Sequence, residues 1–444
     1  MARSEKMMEY QEALSQIEAL KTFGIHLGLG RMQALLERLG NPQDCGIQYV
    51  HLAGTNGKGS TSAMIEAILR SAGYKTGFFS SPDLHSYRER FRINNQPIPK
   101  ERFAPLFEQV YGQAQVMVKE GLEAPTEFEI STAMAFEYFY QEEVDWVVLE
   151  TGLGGSIDST NVVKNAIAVI TSVGIDHMQY LGNTLSEIAA VKSGIIKPNS
   201  HVFCGAKREA LDVIRHKAKK EQAKLSVLGK DFQVRFRQDF WKDGLPQGQN
   251  FDFVAEQKTF KNLQLPLLGR HQIDNAALAV AAVLAIGVSE AAIREGLKQV
   301  IWPARLEIFS TKPLVIIDGA HNTDGMRVLS DFIKTYFPRQ RKVALLGMLA
   351  DKEREKALTA LLPYLDEVVV ARPQNPRAGD WQRLTAIIRQ YGLPVTEAED
   401  PVAAIQTALA LLQEGDLLLV CGSFYLVGPI RQWLIEQGGE KIAD

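Results

Sequence analysis

The run Gly54-Thr55-Asn56-Gly57-Lys58-Gly59-Ser60 constrains this chain more than any other stretch, because of what flanks it. Ile47 to Leu52 reads as a strand, and Thr61 to Ala72 reads as a helix. A glycine-rich turn between a strand and a helix lets backbone N–H groups face inward. The helix start adds partial positive charge, and Lys58 adds a full one. That is a cradle for a nucleotide triphosphate, and a bare strand-to-helix turn with a surface lysine is the plain alternative. The general P-loop pattern asks for a small residue where Leu52 stands and a hydroxyl where Gly59 stands; here the hydroxyl arrives one place late, as Ser60.

A chain of 444 residues exceeds one ordinary core, so two domains are expected. Strand and helix signals alternate from Ile47 to about Cys204, with Val144–Thr151 and Ala166–Ser172 as later strands. Two amphipathic helices, about Glu5–Leu20 and Arg31–Leu39, precede them. Asp231 to Gln264 is more polar and aromatic and suits a small β excursion, after which helices at Asp274–Ala285 and 291–300 close the first domain. Strands at Leu314–Asp318, Lys342–Leu346, Glu367–Ala371 and Asp416–Cys421 then alternate with helices. The expected fold is α/β: a P-loop-containing, mainly parallel sheet ATPase domain over 1–300, followed by a smaller Rossmann-like α/β domain over 301–444.

Composition excludes several classes. A net charge of -3 offers no reason to expect a nucleic-acid partner. The longest apolar run, Ala276 to Val288, is too short to span a bilayer, and no membrane partner is expected. The first residues carry charges and no apolar segment of the kind a signal peptide needs. Cys45, Cys204 and Cys421 are scattered, without metal-type spacing, which suits a reducing cytoplasm.

Val147-Val148-Leu149-Glu150 is a buried-strand run ending in a carboxylate, and ligands of open α/β sheets sit beyond the carboxyl ends of strands. Glu150 is therefore either a magnesium ligand near the P-loop or a polar strand end. The following Gly152-Leu153-Gly154-Gly155 lacks the full dinucleotide fingerprint. His177 follows the next strand on the same edge, as a metal candidate or a structural histidine. Asp318 ends the apolar run Leu314 to Ile317, where a ligand contact and a helix N-cap are equally at home. Arg305 reads as a phosphate contact or a solvated linker charge, and Trp302 as a core aromatic. Glu127 and Glu129 flank Phe128 at a helix start, where the helix dipole alone favours acids.

Gly-Thr-Asn-Gly-Lys-Gly-Ser resembles the P-loop of the Mur ligase superfamily, especially its folate branch of folylpolyglutamate and dihydrofolate synthases. Further blocks resemble that branch in order: Ser80–Leu84, Glu89–Asn94, Thr126–Glu129, Gly152–Gly155, Asp176–His177 and Ala190–Gly194. Gly269–Gln272 with Asn275–Ala277, Trp302–Glu307, Asp318–Asn322 and Gly422–Gly428 continue the series. The resemblance implies an ATP-dependent ligase that adds L-glutamate to a folate or to dihydropteroate through an acyl phosphate, with ATP as substrate and two Mg²⁺ ions. It places Asn56, Gly57, Lys58, Gly59 and Ser60 on the phosphates, Asn275 on adenine, Arg305 on the phosphates, Asp318 on the ribose and His321 near the γ-phosphate. Ser81, Glu150 and His177 match its metal ligands, and Lys192 matches a lysine carried as a carbamate. Lys58, Lys192, Arg305 and His321 are thus the expected catalytic set. Ile25, His26, Leu27, Thr126, Glu127, Phe128, Glu129, Ile157, Asp158 and Ser159 fall where the folate or pterin binds. The commoner bifunctional pattern has arginine and alanine where Ser156 and Ser159 stand, a departure that bears on dihydropteroate use. A monomer in the cytoplasm is expected. Polyglutamylation alone, a peptidoglycan Mur ligase and an ATP-driven regulatory switch are the alternatives.

Overall fold

The structure is a computed structural model, and it describes residues 8–20, 24, 26–256 and 258–438. Among them, the first eight strands form one sheet: β1 (Gln48–Ala53), β2 (Thr76–Phe79), β3 (Phe91–Ile93), β4 (Gln96–Pro97), β5 (Trp146–Glu150), β6 (Ile167–Ile170), β7 (His201–Cys204) and β8 (Lys224–Val227). Their order is β4-β3-β2-β5-β1-β6-β7-β8. Every neighbouring pair from β2 to β8 is parallel, while β3 and β4 turn back as an antiparallel edge. Tyr49 to Ala53 are all buried, as a central strand covered on both faces requires. The chain leaves β1 to build strands on one side and returns through β6 to build the other. The carboxyl end of β1 is thus a topological switch point, where α/β sheets bind ligands.

The glycine-rich run occupies that end, and its helix, Lys58–Ser71, starts at the lysine itself, three residues earlier than the apolar pattern suggested. The reason is Gly57, whose φ of +88° ends the turn abruptly and makes it the N-cap. The helices Tyr10–Leu20, Gly30–Arg38, Lys100–Lys119 and Glu127–Gln141 share one aromatic-rich core with this sheet, containing Phe79, Phe91, Phe103, Phe107, Phe136 and Phe139.

The expected β excursion consists of three long strands, β9 (Phe232–Lys242), β10 (Leu245–Ala255) and β11 (Lys258–Leu265), lying side by side in the order β11-β10-β9. Strands β12 (Glu307–Thr311), β13 (Leu314–Ile317), β14 (Lys342–Leu346), β15 (Glu367–Ala371), β16 (Val395–Ala398) and β17 (Leu417–Cys421) form another sheet, ordered β12-β13-β17-β14-β15-β16. It is parallel except for β12, an antiparallel edge strand that the apolar pattern did not reveal.

By contact density the chain forms two compact units. One comprises residues up to Arg235 with Asp252–Leu263 and Asp274–Val300; the other comprises Phe236–Phe251, Gln264–Ile273 and Ile301 onward. Among the described residues no helix is long and apolar enough to cross a membrane.

Candidate active site

In the first unit the turn at the end of β1 is held by the segment after β6. Thr55 N donates to Ser172 O at 2.7 Å, and Thr171 Oγ1 donates to Asn56 O at 2.7 Å. Thr55 and Gly174 exchange two more bonds, of 2.9 and 3.0 Å. A Cβ at Gly57 would meet Asn275 Oδ1 at 2.5 Å, so the glycine is required both by its backbone and by the proximity of Asn275. The P-loop and Asn275 are therefore assembled together.

Two lysines converge here. Lys58 Nζ donates to Gly54 O at 3.1 Å, and Lys192 Nζ donates to the same carbonyl at 2.9 Å. Lys192 is buried at the end of the helix Leu185–Lys192. Burial, reinforced by the charge of Lys58, pulls its ammonium down to about 7, so much of it is a neutral amine at neutral pH. The sequence offered no reason beyond resemblance to single out this lysine; the signal is burial, which periodicity in so short a helix does not carry.

Glu150 is the last residue of β5, and Ser81 and His177 lie in the segments that follow β2 and β6, at the carboxyl edge that also carries the P-loop. Glu150 is buried and lies beside Leu52 in register. His177 adopts φ +51° as N-cap of the short helix Met178–Leu181, with its ring 3.9 Å from Asp176 Oδ1. Among the described residues no three His, Cys, Asp or Glu side chains cluster as a metal cage. A nucleotide-bound Mg²⁺ needs no such cage, because phosphate and water oxygens supply most of its ligands. The Glu150 carboxylate and Ser81 hydroxyl are oxygen donors of the right kind. Lys192 fits only as a carbamate, since its ammonium would repel the ion.

The residues expected at the folate are largely engaged within the protein. Phe128 packs on Phe79 with ring centroids 6.0 Å apart, and a Cβ on Gly152 would lie 2.5 Å from its ring. Thr126 and Glu129 form a capping box: Thr126 Oγ1 accepts from Glu129 N at 3.3 Å, and Glu129 Oε2 accepts from Thr126 N at 2.8 Å. Arg31 donates to the same Oε2 at 3.1 Å and to His26 O at 2.9 Å, which ties the His26–Leu27 segment to this helix start. Ile25 lies outside the described residues. Glu127 accepts from Arg90 at 2.9 Å and from the Tyr87 hydroxyl, while Arg90 also reaches Asp83 at 2.7 Å. Arg90, buried against the Tyr87 ring at 4.2 Å, fastens the loop after β2 to the helix Glu127–Gln141. Sequence reasoning had no sign of this latch, because its partners lie 7 and 37 residues away. Asp158 and Ser159 are buried and Ile157 half-buried, in the loop after β5; Asp158 accepts from Leu153 N at 2.7 Å and Thr160 N at 3.0 Å.

The second unit carries its own cluster. Asp318 follows β13 and accepts from Leu306 N and Ala320 N, both at 2.8 Å, so it pins together the two segments that bear Arg305 and His321. Burial raises its carboxyl pKa, against the pull of the nearby Arg305 charge. The Arg305 guanidinium stacks 4.5 Å from the Phe424 ring centre, and a Cβ on Gly319 would collide with both at 2.4 Å. His321 Nδ1 bonds Gly319 O at 2.8 Å, so Nδ1 carries the proton that the carbonyl accepts. Asn322, not Asp318, caps the following helix. Trp302 is half-buried rather than a core residue.

Comparison with known proteins identifies the family. The Mur ligase middle domain family matches residues 52–283, and the family described as Mur ligase, glutamate ligase domain matches 304–424. A dihydrofolate synthase/folylpolyglutamate synthase from Bacillus subtilis is 38% identical over 96% of this chain and 99% of its own length. The Escherichia coli protein of the same name is 34% identical over 94% of each chain. Among solved structures, E. coli FolC in complex with DHPP and ADP superposes with a TM-score of 0.87 at 31% identity, covering 97% of this chain and 100% of that one. A Mycobacterium tuberculosis folylpolyglutamate synthase complexed with ADP and AMPPCP gives a TM-score of 0.88 at 32% identity, covering 96% and 99%.

Proposed function

This chain belongs to the Mur ligase family, in its folylpolyglutamate synthase/dihydrofolate synthase branch, and from that premise we propose that it is an ATP-dependent amide ligase joining L-glutamate to a folate. The observation that carries the reading is the convergence of Lys58 and Lys192 on the Gly54 carbonyl, within a turn packed against Asn275. Lys58 brings a full positive charge to that turn, which suits a polyanion, while Lys192, lowered to about 7, is the amine open to carbamylation.

The chemistry follows from what a carboxylate lacks. Its oxygen is a poor leaving group, so the amine of glutamate cannot displace it at neutral pH. Transfer of the γ-phosphoryl group from ATP gives an acyl phosphate and ADP. Attack by the amine on the acyl carbon then forms the amide and releases phosphate. The residues act by alignment and charge neutralisation, with no covalent intermediate on a side chain. Asn56 to Ser60 cradle the phosphates, Lys58 neutralises the migrating group, and Asn275 contacts the base. For the second unit the family resemblance assigns Arg305, which Phe424 and Asp318 orient, to phosphate charge, Asp318 to the ribose and His321 to the γ-phosphate.

Mg²⁺ would be held by Glu150 and Ser81, with His177 a further ligand by resemblance and Lys192 contributing oxygens as a carbamate. It would screen phosphate charge during transfer. Phe128, Thr126 and the Ile157–Ser159 loop face the pterin, with His26 and Leu27 alongside. Glu127, Glu129 and Asp158 shape that surface from behind, since Glu127 Oε1 is held by Arg90, Glu129 Oε2 by Arg31, and the Asp158 carboxylate by backbone amides.

ADP release with ATP, Mg²⁺, a reduced folate and L-glutamate, each omitted in turn, tests the reading. Sustained turnover should require both folate and glutamate. Turnover indifferent to them would mark an ATP-driven switch. Use of dihydropteroate is a second reading, favoured by relatives named for both activities. Offering dihydropteroate alone decides it, with Ser159 as the position at issue.

A further inference from the structure

The geometry points to His51 as a positioning residue for the folate side of the site, acting through Thr160 to hold Asp158 and the loop that carries Ile157 and Ser159. This rests on the folate reading above. His51 stands in the middle of β1, the central strand, fully buried where an apolar residue would suit a parallel sheet. Its Nε2 lies 2.8 Å from Thr160 Oγ1, and Thr160 Oγ1 in turn bonds Asp158 Oδ1.

The proton inventory gives the chain a direction. An ionised Asp158 can only accept, so the single hydroxyl proton of Thr160 goes to Oδ1. Thr160 Oγ1 then accepts from His51, which must be the neutral tautomer protonated at Nε2. The other nitrogen, Nδ1, is buried with no hydrogen-bond partner among the described residues, as an unprotonated lone pair would be. Burial, with the charge of Lys197 adding, pushes the imidazole down to about 3, so the ring stays neutral at working pH. Lys197 is itself engaged, donating to Asn161 O at 2.9 Å.

Asp158 Oδ1 is saturated by the Thr160 hydroxyl and the Thr160 N–H, and Oδ2 accepts from Leu153 N. The carboxylate thus closes the loop from Leu153 to Thr160 on itself, with its orientation set from the sheet by His51. The same loop is keyed to the Lys192 helix: Ser156 N donates to Val191 O at 2.8 Å, and Asn161 Nδ2 to Gly194 O at 3.2 Å. A loosened loop would therefore misplace the folate wall first, while the phosphate cradle keeps its own ties to Thr171–Gly174 and is disturbed less.

Steady-state kinetics of the full chain tests this. His51→Leu and Thr160→Val should each raise KM for a reduced folate about tenfold, with KM for ATP within about twofold of wild type. The double variant should be no worse than the more damaging single one, because both break one chain. His51→Gln, whose amide nitrogen can donate from near the Nε2 position, should restore the folate KM. An unchanged folate KM, an equal rise in both KM values, or no rescue by His51→Gln overturns the assignment. If His51→Leu does not fold, the near-isosteric Thr160→Val decides alone. Nitrogen-15 NMR of the eight histidines gives a readout independent of turnover. One ring, absent in His51→Gln, should be protonated at Nε2 and unchanged between about pH 8 and pH 5. An Nδ1-protonated ring or an ordinary titration overturns it. A wild type that releases ADP without folate removes the ligase reading itself; a folate-dependent wild type with indifferent variants removes only the role of His51.

Discussion

The two halves of the site proposed for the first unit, a phosphate side and a folate side, treat their charges in opposite ways. On the phosphate side, Lys58 and Lys192 donate to one carbonyl, and neither has a carboxylate among its hydrogen-bond partners. On the folate side, Glu127, Glu129 and Asp158 are already engaged by Arg90, Arg31, Thr126 and backbone amides. A cation held by one neutral backbone acceptor, as Lys58 is, is available to a ligand, whereas a carboxylate fixed by an arginine or by backbone amides is committed to the scaffold. Residues that a motif groups together can thus belong to the chemistry on one side and to its support on the other.

The sharpest way to break this contrast is to remove a cation. Lys58→Ala should lower kcat about a thousandfold or more while thermal stability stays close to wild type, because charge stabilisation of the transferring phosphoryl group is lost. An effect confined to stability would place Lys58 with the scaffold. Gly57→Ala comes next: a Cβ at φ +88° would press on Asn275, so KM for ATP should rise about a hundredfold and the folate KM should move little.

Arg90→Ala is the converse on the folate side. It strands Asp83 and Glu127 without their buried partner, and denaturant unfolding should show a loss of about 3 kcal/mol. The ATP KM should remain near wild type; a phosphate-side defect with intact stability would erase the distinction. A smaller effect concerns Lys192. With its ammonium lowered to about 7, the reactive neutral amine is the minor form below that pH and the major form above it. Bicarbonate should therefore stimulate CO₂-depleted enzyme severalfold at about pH 8 and much less at about pH 6, and Lys192→Arg should abolish the response.

The smallest effect is on stability. Burial lowers His201 to about 4, below the ordinary value near 6.5, so its folded form binds fewer protons than the unfolded chain within that window. Its contribution is complete above about pH 6.5 and is lost as pH falls toward 4. His201→Gln should flatten the decline of Tm over that interval without changing Tm at about pH 8; an unchanged slope would mean that the histidine is not charged on unfolding.

Much of the fold was legible because the signals were local. The turn from Gly54 to Ser60 between two periodic segments, and apolar runs such as Val343 to Leu346, announce parallel strands and their order of appearance. The edge strands β3, β4, β12 and β16 were not legible, since short half-exposed strands lack a continuous apolar run. Within the site, the P-loop and the carboxyl-edge position of Glu150 could be read from the residues. The latch at Arg90, the grip of Arg31 on Glu129 and the descent of the Lys192 ammonium could not, because each arises from partners brought together by tertiary packing. Asp318 shows the boundary well: its place after an apolar strand was evident, but its role in pinning Leu306 to Ala320 depends on a neighbour twelve residues back.

Transfer of oxygen isotope tests the central claim most directly. A reduced folate labelled with ¹⁸O in its reacting carboxylate is incubated with ATP, Mg²⁺ and L-glutamate, and the released phosphate is analysed by mass spectrometry. An acyl phosphate route predicts one ¹⁸O atom in the phosphate for each glutamate added. Unlabelled phosphate released at the same rate would contradict it.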